Sequence, residues 1–136
     1  MQQRDIIKDE IERLGRVLGK VITMLVGLEG GEIEPAEART IAENQFRLEF
    51  DLDLEELLEL NRVDLKAKLE ELRLQPGHLE QLGDILDALA RQELDPASRE
   101  HILHRALLLY DLAGEASGIY SMERADKEAA IRAKLG

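Results

Sequence analysis

Apolar residues recur along this chain at steps of three and four, and breaks rich in glycine or proline divide them into helical segments. From Ile6 to Leu28 the residues Ile7, Ile11, Leu14, Leu18, Val21, Leu25 and Leu28 form one stripe. It predicts a long N-terminal helix over residues 1–29, long enough to be the spine of a small domain. Ile6, Val17, Ile22, Met24 and Val26 lie off the stripe, so from Val21 to Leu28 nearly every face is apolar. A helix of that kind needs covering on most sides. Gly15, Gly19, Thr23 and Gly27 recur every fourth residue in the same segment. An interior glycine costs roughly 1 kcal/mol relative to alanine. The row therefore predicts close approach of another backbone, within the fold or across a homodimer seam at Val21 to Leu28.

The stretch LEGGEIEP breaks the pattern, and Pro35 suits the first turn of a second helix. There Ala38, Ala42, Phe46 and Phe50 line up at steps of four, with Ile41 and Leu48 beside them, as a core-facing stripe. The alternating run from Phe50 to Leu54 imitates a strand. Asp53 followed by Glu56 has capping-box spacing, however, and predicts a short helix from Leu54 to about Leu60. Asp64 is expected to cap another short helix carrying Leu65, Leu69 and Leu72. Residues 35–74 thus read as a helical middle.

After Gln75-Pro76-Gly77, Leu79, Leu82, Leu86 and Leu89 form the inward face of a fifth helix, with His78 on the surface of its first turn. Asp95-Pro96 pairs an N-cap acid with proline at the first helical position. The sixth helix carries Ile102, Leu103, Ala106, Leu107 and Tyr110 and is expected to fray between Gly114 and Gly118. Residues 76–114 should form an antiparallel hairpin, with Leu82, Gly83 and Leu86 facing Leu103, Ala106 and Tyr110. Ser121 caps a last helix over residues 121–135. Its alanines at 125, 129, 130 and 133 give a thin apolar face, which Ile131 and Leu135 would dock. The expected fold is all-α, one domain over residues 1–136. It is a bundle or short solenoid of six or seven helices, at least about 65% helical against about a third in a typical domain.

Composition supports this. Leu and Ile carry the apolar fraction, the only aromatics are Phe46, Phe50, Tyr110 and Tyr120, and all three prolines stand where helices begin. The chain has no cysteine, which excludes disulfides and thiolate chemistry, and no run of 18 uncharged apolar residues that would span a bilayer. With MQQRD at the start in place of a signal peptide, a cytoplasmic protein is expected. The net charge of −11 makes nucleic acid and anionic lipid poor partners; it could attract a basic one, though a solvated acidic face is the commoner reason for such a charge. Residues 121–136 alone are net basic, four basic side chains against three acidic.

Candidate chemistry is sparse. His101 and His104 are three apart on a helix beside Glu100, so the pair and a carboxylate from a neighbouring helix are the one candidate metal set. SREHILH has neither zinc-hydrolase order, and two histidines at helical spacing are more often a polar face or a partly buried pair. Asp51 and Asp53 lack the glycine and the later ligands of a calcium loop. Asp84 with Asp87 and Glu55 with Glu59 are acidic pairs of the kind that 29 acids generate by number alone. No phosphate loop, serine elbow or nucleophile–base set is visible, so no catalytic, cofactor or metal residue is assigned.

Between Leu79 and Leu107 the chain resembles a tetratricopeptide repeat. Leu79, Leu82, Gly83 and Leu86 match the first half of that pattern and Leu103, Ala106 and Leu107 the second. Leucine replaces the family's usual tryptophan and tyrosine. The segments Arg4-Asp5-Ile6-Ile7, Leu52-Asp53-Leu54-Glu55-Glu56-Leu57-Leu58 and Ser117-Gly118-Ile119-Tyr120-Ser121-Met122-Glu123-Arg124 also resemble a group of uncharacterised bacterial helical proteins. The resemblance implies a helical fold related to tetratricopeptide proteins and no activity. The expected function is a non-catalytic interaction or scaffold module for a protein or peptide, with a groove between helix six and residues 121–135. The alternative is a small-ligand or metal binder, or an enzyme, using His101, His104 and nearby carboxylates.

Overall fold

The computed structural model describes residues 2–27 and 34–136, with side chains for residues 8–26, 34, 36–37 and 39–136. Among these, seven helices follow one another as α1 (Gln2–Gly27), α2 (Pro35–Glu49), α3 (Leu54–Glu59), α4 (Arg62–Glu71), α5 (Pro76–Gln92), α6 (Pro96–Ser117) and α7 (Met122–Leu135). The protein is all-α and 84% helical, with no strand among the described residues. The Gly30-Gly31 break and the packing of Ile6, Ile7, Leu28 and Ala38 lie outside the described residues and side chains.

The spine is α5, not α1. α5 makes its most extensive contact with α6, its next with α1, and also meets α2. It can do so because His78, Leu79, Leu82, Ile85, Leu86 and Leu89, with small residues between them, are buried over a wide arc. α1 instead buries the narrow stripe Leu14, Leu18, Val21 and Leu25 and leaves Glu12, Arg16 and Lys20 in water. Val21 and Leu25 are thus covered by the chain itself. Among the described side chains, the apolar ones this end of α1 leaves for a second copy are exposed Val26 and half-buried Ile22 and Met24.

Close approach of a backbone, which the spacing predicts, does not account for Gly15 and Gly19. What lies over Gly15 and Gly19 is the polar edge of α5, not a backbone. Gln81 donates to the Gly15 carbonyl at 3.0 Å, and His78 Nε2 is 2.9 Å from the Ile11 carbonyl. An added Cβ would meet only Gln81 and His78 side-chain atoms, at 3.9 Å from Gly15 and 3.8 Å from Gly19, which is ordinary contact. Gly19→Ala should therefore stabilise the protein by a few tenths to about 1 kcal/mol, because the helix gains propensity without a clash. A rise in urea midpoint at unchanged slope is the expected result. A fall would restore the close-packing explanation.

Local signals place the remaining elements. Ala42 and Phe46 on α2 and Phe50 at its C-cap are buried, and the two rings meet edge to face at 6.1 Å, whereas Leu48 projects into water at 77% exposure. Leu48 lies off the four-residue ladder, which is why its apolar character misleads. The Asp53 amide donates to Glu56 at 3.0 Å, as the capping-box spacing predicts, and opens α3. The α4 cap is Asn61, not Asp64. Its side-chain oxygen accepts from the Asp64 amide at 2.8 Å, so α4 starts earlier than expected and Asp64 sits in its first turn. Asp95 caps α6, accepting from the Ser98 amide at 2.9 Å. α6 does not fray at Gly114 but runs to Ser117 and stops at Gly118, whose left-handed backbone (φ 68°) suits glycine. Gly114 survives inside the helix because the Arg124 guanidinium from α7 lies over it, 3.3 Å from where a Cβ would be. Ser121 accepts from the Arg124 amide at 3.2 Å and caps α7, as expected.

Candidate functional site

Of the features singled out in the sequence, the acidic positions of α5 acquire the most definite surroundings. Glu80, Asp84 and Asp87 stand at steps of four and three, on one edge of α5. Lys127 on α7 reaches Glu80 at 3.1 Å and Asp84 at 3.2 Å, and Lys134, two turns later, reaches Asp87 at 3.0 Å. Arg91 also holds Asp87, at 3.0 Å. The second Asp84 oxygen accepts from the Tyr110 hydroxyl of α6 at 2.6 Å. Three helices therefore meet on one acidic edge.

The electrostatics follow from this arrangement. Burial works against charge on Lys127, but Glu80 and Asp84 outweigh it and hold its pKa above the usual lysine value. Burial and then the bond to Asp84 push the Tyr110 pKa above the ordinary phenol range, so Tyr110 stays a donor. Asp84 and Asp87 thus each accept on both oxygens, and Glu80 accepts from Lys127 on one.

The apolar part of the α7 contact is small. Ile131 is buried, Leu135 is partly buried, and Ala125 is half-covered. Ala129, Ala130 and Ala133, expected to help form the docking face, are exposed instead. α7 lies mainly on α6, and its long lysines reach across to α5. Beside this contact runs a groove of about 640 Å³, lined by Arg62, Asp111, Glu115, Tyr120, Arg124 and Glu128 among others. Arg62 bridges Asp111 and Glu115, and Lys66 joins Glu115, tying α4 to the far end of α6. Lys66 and then Arg62 hold the Glu115 carboxyl below the usual range. Ile119, Tyr120 and Met122 are 70–77% exposed along the connection into α7.

The histidines do other work. His101 Nε2 lies 2.8 Å from the Leu58 carbonyl, which only accepts, so Nε2 carries the proton and donates. One turn on, Arg105 donates to the Leu57 and Leu60 carbonyls. Together they satisfy the Leu57 and Leu58 carbonyls in the last turn of α3 and the Leu60 carbonyl just past it. His104 is exposed on the same helix. Among the described residues no three His, Asp or Glu side chains converge as a metal set. His78, expected on the surface, is only 4% exposed. Its Nδ1 accepts from the Gln75 amide at 2.9 Å, which leaves the proton on Nε2, donated to Ile11 of α1.

The lysines of α7 were the part sequence reasoning missed. The available signal was a match of spacings: lysines seven apart in the one net-basic segment, acids at 80, 84 and 87 in a net-acidic one. No described helix is long and apolar enough to cross a membrane. No protein-family model matches the chain, and no curated protein or solved structure matches it either.

Proposed function

We propose that this chain is a cytoplasmic, non-catalytic interaction module. In it a tetratricopeptide-like α5–α6 hairpin binds a peptide or helix carrying basic residues at the place α7 now covers. One observation carries the proposal: α7 is seated by lysines on an acidic edge and by one fully buried side chain, Ile131. A helix needed only for stability is normally held by a broad apolar stripe. α7 is also set apart from the hairpin by the Gly118 turn. The surplus of carboxylates on the rest of the chain supports a basic partner over a nucleic acid.

Ending the chain at Tyr120 tests this. The truncated protein is expected to keep its helical circular dichroism and cooperative unfolding, and to retain basic helical peptides more strongly than the full chain does. Loss of the fold would make α7 purely structural and remove the proposal.

A further inference from the structure

The way α7 is seated also specifies the partner. Lys127, Ile131 and Lys134 fall at steps of four and three, so all three project from one face of α7, with the lysines about 10.5 Å apart along its axis. Lys127 meets Glu80 and Asp84 and Lys134 meets Asp87, so numbering rises in the same direction along both helices and α7 runs parallel to α5. Ile131, 1% exposed, is the anchor between them. Resting on the interaction function just proposed, we infer that the partner is a helix with an aliphatic side chain, a cation four residues before it and another three residues after it. It binds parallel to α5 in competition with α7.

The charge pattern on the page is selective. The partner's first cation must satisfy two carboxylates, Glu80 and Asp84. Its second meets Asp87, which Arg91 already shares, so the first contributes more. Acidic or neutral helices would leave Asp84 and Glu80, both mostly covered, without a cation. The apolar hold on α7 is thin: beside Ile131 only Ala125 and Leu135 are partly covered, and Met122, Ala129, Ala130 and Ala133 are exposed.

Two synthetic helical peptides of identical composition, in an alanine–glutamine background, test the inference. One carries Lys-x-x-x-Ile-x-x-Lys; the other has its lysines moved to the opposite face. Each is titrated against the full-length protein and against full-length Ile131→Ser, in which the anchor of α7 is removed. Should Ile131→Ser not fold, the double variant Lys127→Gln, Lys134→Gln takes its place, since it removes only the ion pairs. The matched peptide is expected to bind the variant about tenfold or more tightly than the permuted one, as loss of two or three partly covered ion pairs would give. It should bind more weakly in high salt. In the unaltered protein it should speed amide exchange in α7 and leave α5 and α6 unchanged. Equal binding of both peptides overturns the spacing rule while the interaction function stands. Binding of neither, to a variant whose α7 exchanges freely, overturns both.

Discussion

Gly83→Val is expected to cost about 3 kcal/mol, the upper part of the range for overpacking a well-filled interior. A Cβ at residue 83 would lie 2.6 Å from one Tyr110 ring carbon and 2.9 Å from two more. The ring cannot swing away, because Tyr110 is 1% exposed and its hydroxyl is fixed to Asp84. Even Gly83→Ala should destabilise, although alanine improves helix propensity by roughly 1 kcal/mol. Urea midpoints measure the effect, and a companion change identifies its source. In a Tyr110→Leu background the penalty of Gly83→Ala should shrink, giving a coupling energy well outside the additive range. An unchanged penalty would mean that the clash lies elsewhere in the hairpin.

His78→Leu should cost about 2–3 kcal/mol, for a different reason. The substitution keeps an apolar volume but leaves the Gln75 amide at the start of α5 without its acceptor and breaks the link to α1. His78→Asn separates the two contributions. Its shorter side chain can still accept from the Gln75 amide yet cannot span to Ile11, so roughly half the loss should return. A surface histidine would show changes within about 0.5 kcal/mol for either substitution. That outcome in urea unfolding would return His78 to the exterior.

The histidines and glycines show how far one-dimensional pattern reaches. Leu14, Leu18, Val21 and Leu25, the α2 phenylalanines, the leucines of α5 and the caps at Asp53, Asp95 and Ser121 were legible, because each depends on residues within a turn or two of itself. The small-residue contact in the hairpin was legible too, since Gly83 and Tyr110 fall in register once a short connection turns the chain back. Asp64 was mistaken for a cap because Asn61 offers an equally good one three residues earlier, and the pattern does not rank them.

The amino-acid order by itself determined the all-α class, the helix limits to within a few residues, most inward faces and the acidic character of the surface, all of which follow from local periodicity, capping chemistry and composition. Only the tertiary structure decided which helix is central, that His78 and Gln81 cross to α1, that His101 and Arg105 close α3, and that Lys127 and Lys134 settle on the edge of α5. Those contacts join residues more than forty positions apart. A polar side chain carries no periodic mark of its distant partner. Its place depends on which helix faces the packing of the whole core brings together.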